Sequence, residues 1–276
     1  CCELLKEMTI PTKWLNENDA LVLKDFFKKH FGDLEENPDT RNFLEFNLHN
    51  IDAFRTFQIL RGLGLITTEP SELKQLSMGA GSAKKDLRSI HLIPRIEAAP
   101  DDSILFNTNE AHAKNVVVID GDPSRSEEYK KLCANKSYPI YAINNDAIEE
   151  LDKLPGDLKR KNMGKRNLIV GLRIDHQMIP DVPVFFDKLA GCIDASADFV
   201  MTIGSGFDVY DFTGRTNVIR ALFEYLQEVG LEPVLLKLHG DGSLEEQWNH
   251  PSFGLKSVTT FQILYCKLKR NALTKR

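Results

Sequence analysis

The sequence predicts an α/β fold: a seven-stranded, mostly parallel sheet with an antiparallel last strand, preceded by an N-terminal helical segment. Three observations predict it. After Pro70, short apolar runs alternate with longer amphipathic ones, the rhythm of a parallel sheet covered by helices on both faces. The first run ends in a glycine-bearing turn, Ser77-Met-Gly-Ala-Gly-Ser82. The last two runs are joined from Gly240 to Leu255 by a link with several Gly, Ser and Pro residues and no obvious helix, as in a long hairpin-like connection.

Residues 1–70 read as a helical cap and residues 71–276 as the sheet domain. In the first part, Leu23, Phe26, Phe27 and Phe31 fall near one helical face, with Asp19 placed to cap that helix and Gly32 to stop it. Ile51, Phe54, Phe57 and Leu60 repeat the pattern ahead of Gly62 and Gly64. In the second part, strands are predicted at 72–78, 116–120, 139–143, 167–172, 198–203, 233–238 and 261–268. Helices are predicted at 83–97, 124–134, 146–154, 182–193 and 214–229. Val116-Val-Val-Ile-Asp120 is the clearest strand, and the segment ending at Met78 is the weakest because it has few β-branched residues.

Composition narrows the function classes. An apolar fraction of 42% and a charged fraction of 27% are those of an ordinary soluble globular protein. The formal net charge is -5, and no run of Lys and Arg is long enough to track a phosphate backbone. The basic tail Lys267–Arg276 is short and terminal, so nucleic acid is not a favoured partner. The five cysteines form no CxxC and no Cys/His metal spacing, a usage that suits a reducing compartment. Cys192 and Cys266 lie in apolar runs and read as buried thiols. His239, Asp241 and His250 lack a recognised metal spacing, so no metal is expected. No stretch approaches the roughly 20 apolar residues of a membrane span. A cytoplasmic protein without a membrane partner is therefore expected.

Four strand ends carry residues suited to chemistry. In a doubly wound sheet small molecules bind beyond the carboxyl ends of the strands, where the strand order switches. Gly79 and Gly81 let a ligand approach where a Cβ would block it, and Ser77 precedes them. Next, Val116-Val-Val-Ile-Asp-Gly-Asp-Pro-Ser124 places Asp120 and Asp122 where a carboxylate can accept both hydroxyls of a ribose. Asp122-Pro-Ser is equally a good helix entry. Third, Asp146 in Ile143-Asn-Asn-Asp-Ala-Ile148 suits either a nucleobase amino group or a helix cap. Fourth, Gly171-Leu-Arg-Ile-Asp-His-Gln177 brings Arg173, Asp175 and His176 to the border of a reaction site, where the imidazole of His176 titrates near neutral pH and suits a general base. Asp175 alternatively holds a substrate amine by charge. Beyond strand five, Gly204-Ser-Gly-Phe-Asp-Val-Tyr210 suits a substrate-lining loop.

Taken together, these features resemble the class I S-adenosylmethionine-dependent methyltransferase superfamily, whose Rossmann-like sheet also ends in an antiparallel strand. The resemblance covers about two-thirds of the chain, from Leu73 onward. Leu76-Ser-Met-Gly-Ala-Gly-Ser-Ala-Lys-Lys-Asp-Leu87 and Asp122-Pro-Ser124 with its Tyr129-Lys-Lys-Leu continuation are similar to the histamine N-methyltransferase group. The turn departs from the usual superfamily pattern, since Ser77 and Ala83 stand where an acid and a third glycine are common. The resemblance implies S-adenosylmethionine as cofactor, with Ser77, Gly79, Gly81, Asp122, Asp146 and Arg173 lining its site. It favours Asp122 over Asp120 for the ribose. Asp175 and His176 then fall in the catalytic role, and the acceptor is a small molecule or a protein side chain. Alternatives are a catalytically silent binding protein on the same scaffold, an NAD(P)-dependent oxidoreductase, and an aminopropyl transferase similar to spermidine synthase. Against the oxidoreductase, Lys84 stands where G-x-G-x-x-G requires its third glycine.

Overall fold

The computed structural model describes residues 5–8, 56–57, 60–61, 63–69, 72–81, 115–134, 141–172, 179–204, 212–239 and 260–274. Its strands are β1 (Leu5–Met8), β2 (Gln75–Met78), β3 (Val116–Asp120), β4 (Tyr141–Asn144), β5 (Arg166–Leu172), β6 (Ile193–Gly204), β7 (Val234–His239) and β8 (Thr260–Lys269). They form one sheet in the order β1-β7-β8-β6-β5-β2-β3-β4. The seven strands expected from the sequence are present, and β8 alone runs antiparallel, against both β6 and β7. The result is a Rossmann-like sheet. One strand lies outside the expected set: β1, within the segment read as helical, pairs in parallel with β7 at the sheet edge.

The helices are α1 (Ser126–Ala134), α2 (Ala147–Arg160), α3 (Val182–Cys192), α4 (Phe212–Glu228) and α5 (Arg270–Leu273). The periodicity places α1, α3 and α4 within a few residues of these bounds, whereas α2 runs six residues past its expected end at 154. Pro155 is tolerated there, and Leu151, Leu154 and Leu158 continue one buried stripe across it. The predicted helix at 83–97 and that from Asp19 to Phe31 lie outside the described residues.

Alternation along the strands divides the core between the two faces. Leu76, Met78, Val117, Ile119, Ile169, Phe199 and Met201 join the buried residues of α2, α3 and α4 in the larger cluster. Phe186 of α3 stacks on Tyr225 of α4 with ring centroids 5.0 Å apart, and its edge meets Phe185 at 5.1 Å. On the opposite face Val116, Val118, Ala80 and Tyr129 of α1 form a second cluster. Cys192 and Cys266 are buried free thiols, as their apolar settings predict, while Cys133 is exposed.

The chain just before β2 is tied into this body. Phe57 and Leu60 are buried, and the Tyr265 hydroxyl of β8 donates to the Leu65 carbonyl at 2.7 Å. Tyr265 pairs with Val234, the first residue of β7, so this tie lies toward the amino ends of the parallel strands, away from their carboxyl ends. At that same edge Arg166 is fully buried, with its guanidinium donating to the carbonyls of Asn115 and Gly164. Among the described residues no helix is long and apolar enough to cross a membrane.

Candidate functional site

The sheet order locates the site. From β2 the chain adds β3 and β4 on one side, and β5 then joins β2 on the other, so the order switches between β2 and β5. Register brings Met78 beside Ile119 and Gly171, and Asp120 beside Asn144. The carboxyl ends of β2, β3, β4 and β5 therefore share one rim, the place where doubly wound folds bind small molecules.

At that rim the turn after β2 is shaped by two glycines in the left-handed region, Gly79 at φ 58° and Gly81 at φ 59°. A Cβ at either position would crowd the backbone at a cost of roughly 1–2 kcal/mol. The turn is also tethered. The Ala80 N–H donates to the Ile119 carbonyl at 3.2 Å, and the Gly81 N–H donates to Asp120 Oδ2 at 2.7 Å. The other carboxylate oxygen of Asp120, Oδ1, accepts from the Asp122 N–H at 2.9 Å. Both oxygens of Asp120 thus serve loop backbone, and they join the β2 turn to the β3 turn.

Asp122 differs. It is partly exposed, and Oδ1 accepts from the Ser124 N–H at 2.9 Å, capping the 3-10 turn Pro123–Arg125 that leads into α1. Its Oδ2 lies 3.9 Å from the Arg125 Nε. The helix-entry geometry expected of Asp-Pro-Ser is therefore present. Asp146 is exposed at the start of α2, where Oδ1 accepts from the N–H groups of Ile148 at 2.9 Å and Glu149 at 3.1 Å. This is an N-cap, and it leaves the carboxylate on the same rim as Asp120 and Asp122.

Ser77 sits deeper than its place beside the glycines implies. It is 1% exposed, and its hydroxyl accepts from Gln75 Nε2 at 3.1 Å. Arg173, Asp175 and His176, expected at the end of β5, lie outside the described residues, as do Asp241 and His250.

Asn144, the last residue of β4, was not singled out in the sequence. Its amide Nδ2 donates to the carbonyls of Asp120 at 3.0 Å and Asp122 at 2.7 Å. Its only signal in the sequence is a carboxamide ending an apolar strand, which any turn would also explain. Only the parallel register with β3 places it against those carbonyls.

The sequence matches no protein-family model and no curated protein. Among solved structures, the chain is similar to a SAM-dependent methyltransferase from Aquifex aeolicus, with 11% identity over 84% of this chain and 99% of that one, at a TM-score of 0.46. A SAM-dependent methyltransferase from Archaeoglobus fulgidus is 10% identical over 89% of this chain and 99% of that one, at a TM-score of 0.44. A precorrin-6y C5,15-methyltransferase from Geobacter metallireducens is 11% identical over 76% of this chain and 88% of that one, at a TM-score of 0.42. At identities and TM-scores this low, the likeness assigns this chain no substrate and no chemistry.

Proposed function

We propose that the chain is an S-adenosylmethionine-dependent methyltransferase that transfers a methyl group to a small molecule or a protein side chain. One observation carries this reading: a turn with two left-handed glycines at the sheet's switch point, facing an acid pair of which Asp120 is committed to loop backbone. A nucleoside ligand fits such a rim. The glycines leave room for close backbone approach, and Asp122, partly exposed, is the acid placed to accept ribose hydroxyls. Asp146 and the N–H groups beside it would face the adenine, with Ser77 buried beneath the turn and Arg173 toward the far end of the cofactor. When bound, S-adenosylmethionine supplies an electrophilic methyl group on a sulfonium sulfur.

The chain's own part is mostly positioning. Holding the acceptor in line with that methyl group converts an encounter into an oriented reaction. Asp175 would hold an acceptor amine by charge, and an imidazole nitrogen of His176 would take the proton that the acceptor releases.

Calorimetric titration tests the reading. S-adenosylmethionine and S-adenosylhomocysteine are both expected to bind; if neither binds at millimolar concentration, the reading is wrong. Asp122→Ala should weaken binding by roughly 2 kcal/mol, the loss expected for a charged acceptor serving two hydroxyls. Unchanged affinity in that variant would return the ribose to Asp120. Binding of NADH in place of S-adenosylhomocysteine would turn the chain into an oxidoreductase. Tritiated methyl transfer onto amines, phenols and proteins then identifies the acceptor. Tight cofactor binding with no transfer to any of them would make the chain a silent scaffold.

A further inference from the structure

We propose that Asn144 is a positioning residue for nucleoside binding, acting through Asp122; the proposal rests on the methyltransferase reading above. The two hydrogens of its amide meet two carbonyls in one turn, those of Asp120 at 3.0 Å and Asp122 at 2.7 Å. The Asp122 carbonyl also accepts from the Arg125 N–H at 3.0 Å, which closes the 3-10 turn. From the other side, Asp120 Oδ1 holds the Asp122 N–H at 2.9 Å. The backbone of Asp122 is thus fixed at both its N–H and its carbonyl by side chains from two neighbouring strand ends.

Gly121, between the two acids, is exposed, and a Cβ there would meet only the Asn145 and Asp146 backbone at 3.6 Å or more, in ordinary contact. Without the Asn144 amide, the Asp120 carbonyl would lose a donor and the peptide planes on either side of Gly121 could rotate. Asp122 would keep its charge and its bond from the Ser124 N–H, but the turn that carries it would be held by a strand-end side chain from β3 alone. A carboxylate that accepts two vicinal hydroxyls depends on direction as well as charge. Asn144 therefore sets the aim of the ribose acceptor without touching the ligand.

A double-mutant cycle on the full chain tests this, with S-adenosylhomocysteine as probe and calorimetry as readout. Asn144→Ala is expected to weaken binding about tenfold in the wild-type background. In the Asp122→Ala background the same change should cost less than about threefold, because groups in one hydrogen-bonded network do not add. A purely structural Asn144 would lower the melting temperature and weaken binding equally in both backgrounds; that result, or unchanged affinity in Asn144→Ala, overturns the proposal while leaving the methyltransferase reading intact. If the wild-type chain itself fails to bind the probe, both fall together. Should Asn144→Ala not fold, Asn144→Ser goes through the same cycle with the same two outcomes.

Discussion

At the residue scale, burial decides how the described thiols behave. Cys192 and Cys266 are fully buried, and desolvation of the thiolate pushes each pKa up to about 12 from an ordinary 9.0. In the unfolded chain these thiols ionise from about pH 9, whereas in the folded protein they stay protonated. The unfolded state then binds fewer protons, so stability falls as pH rises from about 9 toward 12, and below 9 they contribute no pH dependence. Melting temperatures under reducing conditions should be insensitive to these groups between pH 7 and pH 8.5, roughly, and decline above pH 9. Variants with Cys192→Ala and Cys266→Ala should decline less; an identical slope would show that other groups govern alkaline unfolding. Asp198, fully buried on β6, uses a different device. Its Oδ1 accepts from Lys267 at 2.9 Å and lies 2.8 Å from the Tyr265 hydroxyl, whose single hydrogen is shared with the Leu65 carbonyl, while among the described residues Oδ2 meets no hydrogen-bond donor. Burial and the adjacent carboxylate hold the Tyr265 phenol well above its ordinary range, so it stays a donor and keeps its tie to Leu65.

At the element scale, the start of α2 combines a structural and a proposed functional demand on one carboxylate. Asp146 caps two N–H groups of the first turn, and Glu149 and Glu150 add negative charge at the same end. Asp146→Ala should lower stability by about 1 kcal/mol in urea unfolding at unchanged m-value. Asp146→Asn retains a capping oxygen and should stay within a few tenths of a kcal/mol of wild type. If Asp146 accepts from an adenine amino group, that Asn variant should also bind S-adenosylhomocysteine more weakly, with stability held. Equal binding in the two proteins would leave the cap as its whole role. The opposite rim is held by Arg166, whose carbonyl partners on the β3 and β5 approaches leave it without a carboxylate partner among the described residues. Desolvation lowers its pKa to about 10, which still leaves it charged at neutral pH.

At the scale of the whole molecule, β8 is the strand on which the sheet's continuity depends. It lies between β6 and β7, pairing with both, so it joins β7 and β1 to the remaining five strands. Deleting Thr260 onward would expose two interior strand edges at once, and such edges are templates for association. The truncated chain should be recovered as aggregate by size-exclusion chromatography, without a cooperative melt. A soluble truncated monomer with a native-like melt would mean that β6 and β7 close on each other.

Much of the fold was legible because its signals are local. Val116-Val-Val-Ile-Asp120 alternates between two apolar faces, and the helix expected at 182–193 is found as α3 (Val182–Cys192), so both segments lie near their expected places. The missed strand Leu5–Met8 has only four residues, and its pairing partner stands more than 200 residues away at β7. The extra length of α2 was missed because Pro155 looks like a helix end, whereas its neighbours Leu154 and Leu158 are held by core packing. At the site, the glycine turn and the acid pair stood out by residue type. The residues alone left Asp120 and Asp122 both open and the resemblance favoured Asp122; which backbone N–H each carboxylate meets is visible only in the fold.

Composition, hydrophobic period and turn chemistry by themselves determined a parallel α/β sheet with an antiparallel last strand and a glycine turn after its first predicted strand. These properties arise within windows of a few residues, where side-chain size, backbone freedom and alternation act directly. Only the tertiary structure decided that β1 completes the edge, that Asp120 spends its carboxylate on two loops, and that Asn144 holds the turn carrying Asp122. Each of these depends on the register between strands distant in sequence, and register is set by how whole faces bury against each other.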